Sequence, residues 1–423
     1  MTRKALFWLL AILFPLPMLL VLNASLSDVF EVRLFIMLGA LAYSWWLASI
    51  LLSVRPSWLD RWVGLPQVYM LHGVLGVTAL LAAYLHLDNT HAHSQLAANV
   101  GHWAFYLSLA VALYSIVFMS GWLVDRFRSV AKVKHCLEHV LHHQVSLWLH
   151  RLNLIAVVLI AVHVHVIAQL RQHLVFMIVF DLYTVATLGV YAWKKWIAPD
   201  SYLTGLVTEN RALNGSTRQV RITLDSRSAD IRPGDFFFIR FEGPGIPREW
   251  HPFSLTDDSQ GVVVFTIRQL GDYTRTVPQI PIGTTARLDG PFGRFDGIIR
   301  ESGAGRPLVL IGMGAGVAPL LSLAAGYLRN RKISLLWSIH SPNDNYYADL
   351  IDNYRNSSDG SFDALTRVGR FTRDALQSQL SEEQIGNAIY FIVGPNAGVL
   401  STQRTLKRLG VSTGRIHHER LTM

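Results

Sequence analysis

The chain has 423 residues, 51% of them hydrophobic and only 16% charged, with a mean hydropathy of +0.30. About a quarter of a soluble globular chain is charged, so this is not a soluble enzyme throughout, and its apolar content excludes a disordered chain. The net charge of +9 does not mark a nucleic-acid binder, because the basic residues form no single stripe. The one cysteine, Cys136, excludes an internal disulfide and any multi-cysteine zinc or iron–sulfur site.

The composition is uneven along the chain. Residues 1–199 carry 13 Lys and Arg against 7 Asp and Glu, and they hold 13 of the 17 histidines and 10 of the 12 tryptophans. Six stretches there reach the roughly 20 apolar residues needed to cross a bilayer: 5–22, 34–53, 67–87, 103–124, 146–169 and 174–193. Basic residues alternate between the gaps. Arg3 and Lys4, Arg55 and Arg61, Arg126 to Lys134, and Lys194 with Lys195 fall on one side; Asp28, Glu31, Arg33, Asp88 and Arg171 fall on the other. Basic loops mark the cytoplasmic face. Both termini, and everything after residue 199, are therefore expected in the cytoplasm, with the first span retained rather than cleaved as a signal peptide.

Histidine inside a membrane span marks function by default. The third span holds His72 and His86, and the fifth holds His150, His163 and His165. A 14-residue step is nearly four helical turns, so His72 and His86 share a face about 21 Å apart. Two such helices can clamp two haems, one above the other. On a straight fifth helix His150 and His163 lie about 140° apart and His150 and His165 about 60°, so geometry alone favours His165. His135, His139, His142 and His143 read as a solvated segment, and His91, His93 and His102 as an outer polar loop; His139 and His143 have metal-ligand spacing.

Beyond residue 200 the pattern changes to period two. Residues 218–224, 235–241 and 261–268 read as strands, predicting an antiparallel barrel that ends near residue 300. From Pro307 the order is strand, glycine loop, helix, with further parallel strands at 333–339 and 388–393: a doubly wound α/β domain. The loop Gly312-Met313-Gly314-Ala315-Gly316 bares backbone N–H groups for a pyrophosphate at the helix start. The turn Val393-Gly394-Pro395 lies at another strand end, where such sheets bind ligands. In the barrel, Arg248 to Leu255 and Ile267 to Thr274 offer aromatic surface, a hydroxyl and guanidinium groups to a phosphorylated planar ligand.

Together these residues resemble the ferric reductase and NADPH oxidase superfamily. The resemblance implies a six-helix haem domain over 1–199, an FAD-binding barrel over 200–302 and an NAD(P)H-binding α/β domain over 303–423. His251-Pro252-Phe253-Ser254 is similar to the flavin motif, with Ser254 as the catalytic residue at the reactive edge and Arg248 beside it. Arg268, Gly271 and Thr274 resemble the segment that holds the FAD pyrophosphate; Gly290-Pro291-Phe292-Gly293 resembles the turn between the two soluble domains. Gly312, Gly314, Gly316 and Pro319, with Gly394 and Pro395, resemble the nicotinamide-nucleotide site. His150-Arg151-Leu152 through His163 resembles the fifth-helix pattern and selects His163 over His165, giving His72 with His150 for an inner haem and His86 with His163 for an outer one; Arg151 could pair with a haem propionate.

Three departures stand out: Val393 where the family has cysteine, a terminus Arg420-Leu421-Thr422-Met423 without a flavin-covering aromatic, and His340-Ser341-Pro342-Asn343-Asp344 without an arginine for a 2′-phosphate. The expected activity is electron transfer from cytoplasmic NAD(P)H through FAD and two b-type haems to an external acceptor, oxygen or a ferric chelate. The alternative is an electron-supply subunit for a periplasmic or membrane redox protein. The location implied is an integral membrane protein of a bacterial inner membrane.

Overall fold

The computed structural model describes residues 2–26, 30–91, 94–118, 143–197, 202–225, 230–243, 245–259 and 261–421. The expectations placed on Cys136, on the Arg126 to Lys134 segment and on His93, His135, His139 and His142 lie outside these residues. The chain divides into two compact units, Met1–Leu59 with Leu65–Pro199, and Asp60–Gly64 with Asp200–Met423.

The first unit contains six helices long and apolar enough to cross a membrane: Arg3–Ser25, Val32–Ser53, Leu65–Asn89, Gln95–Phe118, Val145–Val166 and Leu174–Ile197. Pro15 lacks an N–H and divides the first into α1 (Arg3–Leu13) and α2 (Leu16–Ser25). The others are α3 (Phe30–Ser53), α4 (Ser57–Val63, a short link), α5 (Leu65–Asn89), α6 (Gln95–Phe118), α7 (His143–Arg151), α8 (Asn153–Val166) and α9 (Leu174–Ala192). Two boundaries differ from expectation. The fourth span starts at Gln95 rather than 103, because Ser94 supplies the first-turn acceptors for Ala97 and Ala98 ahead of the most apolar stretch. The fifth is not one straight rod. At Leu152 the backbone tightens to i−3 bonds, Leu152 N to Leu149 O and Ile155 N to Leu152 O, separating α7 from α8.

α3 packs along α5, and α6 along α8. Tyr43 stacks on Phe180 with ring centres 4.7 Å apart and its hydroxyl meets Thr184 Oγ1 at 2.9 Å, tying α3 to α9. Much of the remaining surface is apolar and exposed, including Leu20, Leu174, Leu182 and Val185. Exposed apolar patches of this extent mark a membrane or partner surface.

In the second unit, six antiparallel strands close a barrel in the order β1-β2-β5-β4-β3-β6: β1 (Leu203–Asn214), β2 (Thr217–Leu224), β3 (Phe236–Glu242), β4 (His251–Ser259), β5 (Val262–Arg268) and β6 (Thr285–Phe292). Alternation positions the core: on β3, Phe237, Ile239 and Phe241 are fully buried while their neighbours face outward. Each such side chain contributes about 1.5–3 kcal/mol by leaving water.

A parallel sheet follows, in the order β11-β10-β7-β8-β9: β7 (Leu308–Met313), β8 (Ile333–Ile339), β9 (Phe362–Val368), β10 (Ile389–Pro395) and β11 (Ile416–Leu421). Helices α10 (Ala318–Tyr327), α11 (Ala348–Asn356) and α12 (Asn396–Arg408) cover its faces. Covering on both sides explains the unbroken apolar runs of β7 and β10, which show no alternation. Asp60–Gly64 belongs here too: Gly293 N donates to Asp60 Oδ2 at 2.6 Å, and the Arg61 guanidinium grips both carboxylate oxygens of buried Asp235.

Candidate functional site

In the first unit, the histidines of α5 meet those of α7 and α8. The ring centres of His72 and His150 are 5.8 Å apart, and those of His86 and His163 are 6.4 Å apart. Each ring is anchored through Nδ1–H: His72 to Ser49 O at 2.9 Å, His86 to Phe35 O at 2.9 Å, His163 to Ala97 O at 2.8 Å and His150 to Ser115 Oγ at 2.8 Å. That assignment of the ring proton leaves the Nε2 lone pair of all four without a partner among the described residues. Metal-binding imidazoles are tied in this way through the opposite nitrogen. Two imidazoles on opposite sides of one iron, each bonded at about 2 Å, have ring centres about 6 Å apart, so both pairs fit a bis-histidine haem.

Small residues make the outer pairing possible. A Cβ on Gly39 would stand 2.9 Å from the His86 ring, and one on Gly101 would stand 3.0 Å from the His163 ring. His165 is engaged elsewhere: Nδ1 donates to Ala161 O at 2.8 Å and Nε2 lies 3.2 Å from Asp181. The straight-helix preference for His165 fails because the helix is interrupted at Leu152. Arg151 stacks over Trp148, 4.9 Å from the ring centre. Among the described residues no group of three or more His, Cys, Asp or Glu side chains forms a separate metal site.

In the second unit, the glycine motifs converge at the carboxyl ends of β7 and β10. Gly316 is forced: a Cβ there would lie 2.4 Å from Val393 O. Gly394 is forced from the other side, since its Cβ would lie 2.7 Å from that of Met313. Gly314 takes a left-handed φ of +55°, its carbonyl held by Trp337 Nε1 at 3.0 Å, and the Arg268 guanidinium at the end of β5 comes within 3.4 Å of its Cβ position. Gly312 packs on Val317, and Pro319 sits in the first turn of α10. On β4 the flavin-type motif pairs with β3 in the register His251 with Ile239, Pro252 with Phe238, Phe253 with Phe237 and Ser254 with Phe236. Arg248 is exposed and unpaired among the described residues.

Residues 205–286 match the model of the FAD-binding domain family. The chain is 27% identical over 213 residues to the 2-halobenzoate 1,2-dioxygenase electron transfer component of Burkholderia cepacia, a match covering 46% of this chain and 60% of that one. It is 28% identical over 123 residues to respiratory burst oxidase homolog protein F of Arabidopsis thaliana, covering 23% of this chain and 13% of that protein. The flavohemoglobin of Malassezia yamatoensis aligns at 14% identity over 96% of this chain and 98% of its own, with a TM-score of 0.47. The matches support a resemblance to the ferric reductase and NADPH oxidase-like superfamily, and this chain spans about 60% of the length of the Burkholderia relative. Residues 205–286 thus carry an FAD-binding domain, and the relatives matched by the second unit are electron-transfer oxidoreductases by name.

Against the superfamily pattern, several motif residues are already engaged within the protein. His251 stacks on Tyr273 with ring centres 3.8 Å apart and bonds Glu249 at 3.0 Å. Thr274 Oγ1 accepts from Leu270 N and Gly271 N, closing the turn expected to hold pyrophosphate. The last strand carries what the sequence reading missed. Ser254 Oγ points at Glu419 Oε1 across 3.4 Å, a loose contact for two oxygens. Burial pushes the Glu419 carboxyl up to about 7, against the lowering effect of the Ser254 hydroxyl. Glu419 could have been suspected as a lone acid in a closing strand. Leu421, paired with Pro395, stands where the flavin-covering aromatic was sought.

Arginines do occur at the end of the neighbouring strand. Arg367, Arg370 and Arg373 cluster at the end of β9, are exposed and have no partner among the described residues. β9 lies directly beside β8, with Gly369 N bonded to Ile339 O. Asp344, the acid nearest the end of β8, is occupied by Ser341 N and by Asn214 Nδ2.

Proposed function

We propose that this protein carries electrons from cytoplasmic NADPH across a membrane, through FAD and two b-type haems, to an external acceptor. The observation that carries the reading is the double histidine pairing, two facing imidazole pairs anchored through Nδ1 with Nε2 left for iron. Bound FAD supplies the conversion of a two-electron donor into single electrons, and bound haem supplies one-electron carriers within an apolar bundle. The chain's own residues do the rest. His72 and His150 would hold the haem nearer the basic, cytoplasmic loops, and His86 with His163 the outer one. Ser254 presents a hydroxyl to the flavin's reactive edge, and Arg248 and Arg268 offer guanidinium groups to the FAD phosphates. Gly312 and Gly316 let β7, β10 and the start of α10 pack closely, and Gly314 turns the chain at that point, where the nucleotide would lie.

NADPH is favoured over NADH by the exposed arginines at the end of β9 and by the engagement of Asp344, the acid nearest the end of β8, with Ser341 and Asn214. Arg370→Glu is expected to raise KM for NADPH at least tenfold and leave KM for NADH little changed. Equal effects on both nucleotides would remove the assignment.

The acceptor proposed is small and diffusible, oxygen or a ferric chelate. The first test is a reduced-minus-oxidised spectrum of the purified full chain with NADPH, where a b-type signal is expected; its absence sinks the haem reading. Cytochrome c reduction sensitive to superoxide dismutase would identify oxygen as acceptor, and rapid chelate reduction insensitive to it would identify ferric iron. A second reading, an electron-supply subunit for a redox partner protein, is favoured by one observation: several relatives of the soluble unit are named as reductase or electron transfer components. NADPH-driven haem reduction with no turnover on either small acceptor would support it.

A further inference from the structure

The four imidazoles are not anchored alike. His72, His86 and His163 each donate to a main-chain carbonyl, whereas His150 donates to the Ser115 hydroxyl. That hydroxyl's own proton is committed to Val111 O at 2.7 Å, so its oxygen can only accept from His150. The two levels correspond by position on α6. Ala97 and Gly101 serve His163; Val111 and Ser115, each 14 residues later, stand at the level of His150. At the first level the absent side chain of Gly101 lets the His163 ring reach the Ala97 carbonyl directly. At the second a side chain fills the notch, and its oxygen takes over the role of the carbonyl beneath it.

We propose that Ser115 is the positioning residue for His150, relaying the Val111 carbonyl to Nδ1 and so setting the tautomer and basicity of one ligand of the His72–His150 haem. This rests on the two-haem reading. An acceptor at Nδ1 raises the basicity of a ligating imidazole, and loss of such an outer partner typically weakens metal binding about 10- to 100-fold. Without it the ring is also free to turn. A more basic imidazole stabilises ferric over ferrous iron, so removing the acceptor raises the midpoint potential of that haem alone.

The test uses the full chain in detergent, with haem counted per polypeptide after gel filtration and both midpoints read by spectroscopic redox titration. Ser115→Ala is expected to lose one of two haems on dilution, at a concentration about tenfold or more above that at which the unmodified protein does, and to show one raised midpoint. Ser115→Thr keeps the hydroxyl and is expected to behave as the unmodified protein. Ser115→Gly, which copies the Gly101 arrangement and bares the Val111 carbonyl, is expected to retain both haems. FAD content checks folding of each variant. Haem retention and midpoints in Ser115→Ala equal to those of the unmodified protein, or failure of Ser115→Thr to restore them, would overturn the inference while leaving the two-haem reading intact. An unmodified protein that binds no haem would overturn both.

Discussion

At the scale of single residues, Glu419 and Ser254 form the most informative contact in the second unit. With Ser254 at the proposed flavin edge, an ionised Glu419 would accept a hydrogen bond from its hydroxyl and keep that hydroxyl turned away from the flavin. A protonated Glu419 can donate instead and release it. The Glu419 carboxyl is raised to about 7 by burial, so NADPH-driven flavin reduction is expected to slow as pH rises through about 7. In Glu419→Gln, which donates at every pH, that inflection should vanish while the rate stays near its acid plateau. A profile unchanged by the substitution would separate Glu419 from the chemistry. The same shift has a sign for stability. The folded carboxyl holds its proton more tightly than the ordinary value of 4.5, so its contribution is full below that value and is lost as pH rises toward about 7. Neither effect was legible in the sequence. Ser254 announced itself through its motif, but its partner stands 165 positions away and is brought close only by the closing strand.

Among the elements, α5 shows why the histidine pattern was legible and α7 with α8 why it was not. On α5 an unbroken helix converts a 14-residue spacing into a shared face, with the His72 ring centre 5.8 Å from that of His150 and the His86 ring centre 6.4 Å from that of His163. Across α7 and α8 the tightened backbone at Leu152 changes the rotation between His150 and His163, and no residue type near Leu152 announces it: Arg151-Leu152-Asn153 contains neither proline nor glycine. The glycine notches were equally silent, since glycine in an apolar helix reads as loose packing until its neighbour is known. Gly101→Val is expected to drive the His163 ring out of place and lose the haem of the His86–His163 pair, and Gly39→Val to do the same through His86. Gly76→Ala, with nothing within 4 Å, is the control, expected to keep both haems and to stabilise α5 by about 0.5–1 kcal/mol. Haem counted per polypeptide distinguishes the three.

For the whole molecule, the compositional break near residue 199 coincides with a change of architecture, from an apolar bundle to a barrel and a parallel sheet. Its direction was readable because glycine loops and barrel alternation are local signals, whereas the arginines at and after the end of β9 were not, because strand order places that end beside β8 only in the folded sheet. The division predicts separable activities. His72→Ala is expected to abolish NADPH reduction of external acceptors while leaving NADPH–ferricyanide activity, which draws on the flavin alone, within about twofold of the unmodified protein. Loss of both together would mean that the histidine supports the fold rather than the route. Phe35 and Ser49, Gly39 and Ser53, His72 and His86, Ala97 and Val111, and Gly101 and Ser115 are all separated by the same 14 residues. Three helices thus keep a common pitch between the two levels. An inserted or deleted residue inside any of these intervals would rotate one level by about 100° against the other. Length variation among descendants of this chain is therefore expected in the links and termini, with the intervals on α3, α5 and α6 fixed at 14 and only the interrupted helix, already at 13 between His150 and His163, free of that count.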